Sequence, residues 1–482
     1  MLNNLIGKLQ NIDYKSLILL WLKDIRFWII FFAILRMYGI TNPPLEMGHA
    51  WRQTTVAMAA RNFLEIEPNI LYPRIDISED LTGITGMEFP LLNYLIYLLS
   101  LVFGYEHWYG RLINLIVTSI GCWFSFKLLR KYFSEQMSFL STFVLIVSLW
   151  FPYARKIMPD TFAMSLVIIG IYYGTNYLEN KGNQTFNLLM YALPTLAGLL
   201  SKLPSGFILA VYAIPIFNKT LAIQRKILFC AVSAMLCVPV AWWYFYWVPH
   251  LVSEFGLWHF FMGKGFAEGA REIAANMGGT LKHFYDYALK YIGFFVFMGG
   301  LILCIIRKER LLLAIFGLTF ATFVVVILKS GWTFVHHTYY IVPFVPIMAI
   351  FAGYALTAID KKKLRLLLLT AIVLENLLNN RTDFIIKNIR KPIAQLETVL
   401  DEFSAPTDRI VINSDQNPAP MYFAHRKGWV ASNEQLSNPK YLTDLQQRGC
   451  KYVVVLKQTF GEYLELNLEV VFDNNAYKIY KL

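Results

Sequence analysis

The sequence carries little charge for its length. Charged residues occupy only 16% of the 482 positions, whereas hydrophobic residues occupy 56%, and the mean hydropathy is +0.46. A soluble domain carries roughly 25% charged residues, so most of this chain avoids water. The shortage of charge excludes an ordinary soluble protein and indicates an integral membrane protein.

Several common functional patterns are absent as well. The five cysteines have no spacing typical of a metal knuckle or a disulfide framework. No internal repeat stands out, and the last hundred residues contain no Gly-rich phosphate loop. The first apolar run is not followed by a small-residue cleavage site, so we expect it to be a retained helix.

The net charge of +12 does not indicate a nucleic-acid partner. The basic residues lie in short clusters between apolar runs, as in the segment 361–365. This distribution is typical of cytoplasmic loops under the positive-inside rule. Membrane lipids, and no nucleic acid, are therefore the expected surroundings.

Eleven apolar runs have about the length needed to cross the hydrocarbon core. They predict a polytopic α-helical membrane protein with about 11 transmembrane helices. The predicted crossings are 24–41, 111–129, 137–153, 160–178, 186–200, 204–218, 227–247, 288–306, 311–328, 334–358 and 364–379.

The basic clusters predict an N-terminus inside the cell, provided that the apolar segment 90–104 does not cross. This segment would span only about 22 Å as a helix, and we expect it to lie in the outer interface. The alternative is that it crosses, which would move the basic clusters of most of the chain to the opposite side of the membrane. With an interfacial helix, large outer loops cover about 42–110 and 248–287.

The composition changes after about residue 380. Buried strands are expected at 409–413 and 451–456, and a terminal hairpin after residue 470. We therefore predict two domains: 1–380 is a transmembrane domain, and 381–482 is a small extracytoplasmic α/β domain. The expected role of the second domain is structural or acceptor-facing.

The first large loop contains the most unusual polar residues. His49, Arg52 and Gln53 have helical i, i+3, i+4 spacing, so they share one helix face, and Glu46 lies just before it. Such a face can hold an acid, an imidazole and a guanidinium together at the membrane surface. The alternative is an interfacial helix whose polar side merely faces water.

Further polar residues fall on the same predicted side of the membrane, and ionisable residues near membrane depth indicate function by default. Each has a simpler explanation, such as snorkelling to the interface or helix capping. These residues are Arg155, Lys156, Asp160, Lys202, His336, His337 and Tyr339.

The order of these features resembles the GT-C superfamily of membrane glycosyltransferases, and within it the aminoarabinose transferases and protein O-mannosyltransferases. The similarity covers most of residues 24–360. It depends on the segments 46–53, 60–63, 73–76, 88–90, 110–112, 157–160, 201–202 and 336–343.

The resemblance implies roles for several acids. A carboxylate base belongs in the first outer loop, where Glu46 matches and Asp76 is the reserve candidate, and a second acid in the next outer loop matches Asp160. Glu88 and His259 match metal ligands of some relatives, which implies a divalent metal ion as a cofactor. The family's lysine after the glutamate is replaced by phenylalanine at position 89, so another residue must bind the anion.

The function implied is transfer of a sugar from a polyprenyl phosphate-linked donor to an acceptor hydroxyl on a glycan, lipid or protein. The expected location is the bacterial inner membrane, with the site facing outside. Residues expected to bind substrate are His49, Arg52, Gln53, Arg155, Lys202, His336 and Tyr339. A transporter or flippase of lipid-linked sugars, or a non-catalytic scaffold, remains an alternative.

Overall fold

The computed structural model describes residues 21–257, 263–459 and 463–482. All eleven apolar runs predicted to cross are mainly helical within these ranges. Five helical segments there are long and apolar enough to cross a membrane: Tyr109–Arg130, Ile223–Phe255, Lys290–Arg307, Arg310–Ser330 and Thr338–Thr357. The prediction of a polytopic helical membrane protein is confirmed.

The α-helices up to the middle of the chain are α1 (Ile25–Arg36), α2 (Ala50–Glu65), α3 (Leu91–Phe103), α4 (Tyr109–Arg130), α5 (Glu135–Val147), α6 (Trp150–Tyr153), α7 (Pro159–Leu178), α8 (Gln184–Ser201), α9 (Ala213–Phe217), α10 (Ile223–Trp242) and α11 (Val248–Phe255). A 3-10 segment, Leu203–Tyr212, precedes α9, and a π-helical segment, Trp243–Trp247, joins α10 to α11.

The later α-helices of the transmembrane part are α12 (Phe266–Ala275), α13 (Met277–Lys282), α14 (Lys290–Arg307), α15 (Arg310–Ser330), α16 (Trp332–His336), α17 (Val345–Thr357) and α18 (Lys362–Asn380). A π-helical turn covers His283–Ala288, and 3-10 turns cover Thr338–Phe344, Arg381–Phe384 and Asn388–Gln395. Helix α3 has 13 residues. It spans about 20 Å at 1.5 Å per residue, and its interfacial position stays a prediction.

The C-terminal part is a small α/β domain, as expected. Its strands are β1 (Arg409–Ile412), β2 (Gly428–Val430), β3 (Cys450–Leu456), β4 (Glu469–Asp473) and β5 (Tyr477–Lys481), and its helices are α19 (Leu396–Leu400), α20 (Ala419–Ala424), α21 (Asn433–Leu436) and α22 (Pro439–Gln447). The sheet order is β2-β1-β3-β5-β4, with β1 parallel to β2 and β3, and β5 antiparallel to β3 and β4. The terminal hairpin was predicted, whereas the three-residue strand β2 was not.

The sheet packs against the first large loop. Leu45, Met58 and Ile75 of the loop share an apolar core with residues of the sheet and of α20. Ile77 forms a parallel bridge with Gly428 of β2. Only glycine fits at position 428, because its φ is +146° and a Cβ there would lie 1.9 Å from the carbonyl oxygen of Ile410. The loop thus extends the sheet at its β2 edge.

Candidate active site

Four charged residues singled out by the sequence meet between the helices. Nη2 of Arg52 lies 2.5 Å from Oε1 of Glu88, and Nζ of Lys202 lies 3.0 Å from the same oxygen. Lys202 Nζ also lies 3.6 Å from Oδ1 of Asp160. All four side chains are buried. We call these residues the four-charge cluster; its two cations and two carboxylates compensate each other, as buried charges require.

Separate elements bring the cluster together. The Phe89 N–H donates to the Leu200 carbonyl at 3.1 Å, which places Glu88 beside the end of α8. Lys202 follows α8 in an extended conformation, with φ −161° and ψ 97°. Asp160 lies in the first turn of α7, where the helix dipole favours an anion. The cluster therefore depends on the packing of α2, α7 and α8 around the start of α3.

Aromatic residues close one side of the cluster. The Lys202 ammonium lies 5.0 Å from the ring centroid of Tyr339 and 5.6 Å from that of Tyr340. His49 packs edge-on against Tyr339, and its Nε2 lies 3.0 Å from Oγ1 of Thr338. Burial lowers the pKa of His49 to about 3. His49 is therefore neutral at physiological pH and contributes packing and hydrogen bonding rather than charge.

The cavity beside the four-charge cluster is small. Its volume is about 10 Å³, which holds about one water molecule. It is lined by Arg52, Val56, Met87, Glu88, Phe89, Leu92, Asn93, Pro159 and Ser201. A sugar phosphate is much larger than this space, so binding one here requires the lining residues to move apart.

Glu46 lies in a separate ion-pair group. Its Oε2 is 2.6 Å from Nη2 of Arg111, and its Oε1 is 3.5 Å from Nη1 of Arg155. Arg155 also donates to the Gly39 carbonyl at 2.7 Å. Two guanidinium groups thus contact this carboxylate, and Glu46 shares no ion-pair partner with the four-charge cluster in the described part of the chain.

Asp76 connects the loop to the C-terminal domain. Its Oδ2 is 2.8 Å from Nη2 of Arg61, and its Oδ1 accepts a hydrogen bond from Nδ2 of Asn62 at 2.8 Å. Arg61 also donates to the Tyr422 carbonyl of α20 at 3.1 Å, and the Gly428 N–H of β2 donates to the Asp76 carbonyl. Both carboxylate oxygens of Asp76 are thus held by α2.

Two other sequence candidates lie apart from the cluster's charges. Oε1 of Gln53 accepts a hydrogen bond from the Ile157 N–H at 3.2 Å, so this amide holds the backbone between α6 and α7. His336 is exposed and stacks on Trp332 at 3.8 Å. Substrate contacts by these two residues stay predictions.

Two residues near the site, Asp383 and Asn114, were not identified from the sequence. Lys156 pairs with Asp383 at 2.5 Å and also donates to the Gly48 carbonyl at 2.8 Å. Asp383 could have been noticed as an acid directly after the last crossing. Asn114 is fully buried in α4 and contacts the backbone leading to Asp160. Asn114 could have been identified from the sequence as a polar amide inside an apolar run.

Of the two predicted metal ligands, the structure describes only Glu88. Oε1 of Glu88 already contacts the cationic groups of Arg52 and Lys202. His259 lies outside the described residues. Among the residues that the structure describes, no group of three or more His, Cys, Asp or Glu side chains is arranged to hold a metal ion.

Comparison with known proteins supports the fold. The family model for dolichyl-phosphate-mannose-protein mannosyltransferase matches residues 88–243. No curated protein sequence matches the chain.

Solved structures match over nearly the whole chain. ArnT from Cupriavidus metallidurans, bound to undecaprenyl phosphate, matches with a TM-score of 0.59 and 13% identity, over 94% of this chain and 98% of ArnT. The archaeal oligosaccharyltransferase AglB from Archaeoglobus fulgidus, in complex with an inhibitory peptide and a dolichol-phosphate, matches with a TM-score of 0.57 and 12% identity, over 89% of this chain and 69% of AglB. The oligosaccharyltransferase of that organism in complex with Zn and sulfate matches with a TM-score of 0.58 and 14% identity, over 89% of this chain and 67% of the relative.

At these identities the structural likeness concerns the fold, and the family model covers α3 to α10. The fold combines this helical membrane domain with a large first loop that carries charged residues into the helices. The family match over residues 88–243 and the shared fold thus make the chain similar to the GT-C membrane glycosyltransferases.

Proposed function

We propose that this protein transfers a sugar from a polyprenyl phosphate-linked donor to an acceptor hydroxyl. The observation that carries the proposal is the four-charge cluster, in which Arg52 and Lys202 stand beside the buried carboxylate of Asp160. Transfer from a lipid phosphate needs cations at the leaving group and a base at the acceptor. The bound undecaprenyl phosphate of ArnT and dolichol-phosphate of AglB support a lipid phosphate as the donor's carrier.

Arg52 and Lys202 bind the donor phosphate. Both direct their N–H groups at a single carboxylate oxygen of Glu88, and phosphate oxygens are equivalent acceptors for the same groups. An incoming phosphate therefore competes with Glu88 for these two cations. Because burial weakens the competition from water, each contact is stronger here than on an exposed surface.

Asp160 is the base. Glu46 is held between two arginines, and both oxygens of Asp76 accept hydrogen bonds. Neither oxygen of Asp160 is hydrogen-bonded to another described residue, and the Lys202 ammonium lies 3.6 Å from its Oδ1. Asp160 therefore has free lone pairs for an acceptor proton, next to a cation that contacts the phosphate.

The reaction is a displacement at the anomeric carbon. Asp160 takes the proton of the acceptor hydroxyl as its oxygen bonds to that carbon. The bond from the anomeric carbon to the phosphate oxygen breaks, and its electron pair stays on the phosphate. Arg52 and Lys202 stabilise the charge that develops there, while Tyr339 and Tyr340 restrict access of water from one side.

The site faces the outside of the cell membrane. The positive-inside rule supports this orientation through the basic clusters of the connecting loops. The first loop and the C-terminal sheet share one apolar core, so they lie on the same side of the membrane. A polyprenyl-linked sugar displayed on that side would meet glycan, lipid or protein acceptors of the cell envelope.

A transfer assay tests the proposal. The purified protein in lipid nanodiscs is given radiolabelled mannose or arabinofuranose linked to undecaprenyl phosphate, with cell-envelope glycolipids and glycoproteins as acceptors. Asp160→Asn should lower the transfer rate about 10²- to 10⁴-fold, the usual loss for a missing general base. The exposed Asp360→Asn is the control.

Two results would contradict these assignments. Near-normal transfer by Asp160→Asn, together with loss of transfer per folded molecule in Asp76→Asn, would move the base to Asp76. Movement of the intact lipid-linked sugar across the bilayer without any transfer would instead show a flippase.

A further inference from the structure

The segment between α6 and α7 leaves the helical conformation inside the transmembrane domain. Residues 154–158 are turns and bends, and they are buried. Buried irregular backbone is costly unless its carbonyl groups find donors within the protein. This segment leads directly to Asp160, so its conformation determines where the proposed base lies.

The side chain of Asn114 in α4 provides these donors. Its Nδ2 lies 3.0 Å from the Tyr153 carbonyl, 2.9 Å from that of Lys156 and 3.2 Å from that of Met158. These three carbonyls come from the end of α6, the middle of the irregular segment and the residue before α7. One amide group thus holds both ends of the break.

The other end of the same side chain contacts α7 itself. Oδ1 of Asn114 accepts hydrogen bonds from Oγ1 of Thr161 and of Thr118, each at 3.0 Å. Thr161 is the immediate neighbour of Asp160, and both are fully buried. Asn114 therefore fixes the first turn of α7 through one atom and the preceding backbone through another.

We propose that Asn114 is a positioning residue for the reaction, acting through Asp160. The proposal rests on the proposed function, because it assumes that Asp160 is the base. No other residue type of similar size supplies both the amide donors and the oxygen acceptor that this position uses. Gln53 of α2 also holds this segment by accepting from the Ile157 N–H, so both α2 and α4 contact the break.

The Asn114→Asp variant tests this role. Aspartate has nearly the same shape and keeps one oxygen for the threonine hydroxyls. Its second oxygen replaces the amide donor, so it cannot hydrogen-bond to the three carbonyl oxygens. For transfer from undecaprenyl phosphate-linked mannose, glucose or arabinofuranose, kcat per folded molecule should fall about 10- to 100-fold, as for supporting residues of other sites. The donor KM should change little, because Arg52 and Lys202 remain in place. Asn114→Ser provides a second variant if the aspartate form does not fold.

The matched control is Asn376→Asp. Asn376 is also fully buried, and its Nδ2 donates to the carbonyls of Leu289 and Ile372. It lies in α18, outside the four-charge cluster. The control should lose thermal stability and retain kcat per folded molecule, which separates a general packing defect from a displaced base.

Combining the variants gives the decisive measurement. In an Asp160→Asn background, Asn114→Asp should change the remaining rate less than about twofold, because residues that act together are not additive. Three outcomes would overturn this inference but not the proposed function. They are additive losses in the double variant, an unchanged kcat in Asn114→Asp, and an equal loss of kcat in Asn376→Asp. Absence of transfer by the unmodified protein with every donor would refute the proposed function and the inference with it.

Discussion

Replacing Lys202 by methionine tests the phosphate side of the site. Lys202 contributes one of the two cations in the four-charge cluster, and methionine keeps most of its length without the charge. The three remaining charged side chains, Arg52, Glu88 and Asp160, then carry a net charge of −1. We expect the variant to fold and insert into the membrane but to bind undecaprenyl phosphate more weakly.

The size of the effect follows from the contacts. A hydrogen bond from a charged group contributes about 1.5–3 kcal/mol, which corresponds to an increase in Kd of about 10- to 150-fold. The uncompensated carboxylate left in the cluster repels the phosphate further, so we expect the upper part of this range. Lys202→Arg keeps the charge and should recover part of the affinity.

Binding can be measured by native mass spectrometry of the protein in lipid nanodiscs with undecaprenyl phosphate. Lys226→Met is the matched control, since Lys226 is also buried and donates to the Asn218 carbonyl at 2.6 Å, away from the cluster. Unchanged affinity in both Lys202→Met and Arg52→Gln would refute the placement of the phosphate here.

Three further results are expected. Asp76→Asn leaves Arg61 buried without its anion, so it should lower the free energy of unfolding by about 3–5 kcal/mol in chemical denaturation. Unchanged stability would contradict the role of Asp76 in connecting the first loop to the C-terminal domain. Hydrogen bonds from His425 to Glu residues raise its pKa to about 9, so their stabilisation is complete below about pH 6.5 and is lost as the pH rises through 9. The Tm gap between the unmodified protein and His425→Gln should therefore close between pH 6.5 and 10, and a pH-independent gap would refute this. A cysteine placed at Ser432 should react with an impermeant reagent on intact cells while one at Lys362 should not; the reverse pattern would invert the topology.

The apolar runs predicted the helices well because membrane burial requires long hydrophobic stretches. The segment 111–129 lies almost entirely within α4, and 160–178 coincides closely with α7. The short strand β2 was missed because three residues are too few to show the alternation of a strand. Its position also depends on the bridge to Ile77 of the first loop.

The site was only partly predictable. The sequence identified Arg52, Glu88, Asp160 and Lys202 as unusual, but it could not show that they form one cluster, because Glu88 and Lys202 are 114 positions apart. It also could not show how the surroundings of the carboxylates differ: Asp76 is held by neighbouring donors, whereas Asp160 is not. Such differences arise from three-dimensional packing, which periodicity does not encode.

The contact between the first loop and the C-terminal sheet has a consequence for biosynthesis. Arg61 in α2 and its partner Tyr422 are 361 positions apart, so the ribosome makes the sheet long after the loop. Until then α2 lacks the surface that holds its C-terminal half, while its N-terminal half carries Arg52. The contacts between α2 and the C-terminal sheet therefore form late, after nearly all the helices of the first domain have been synthesised.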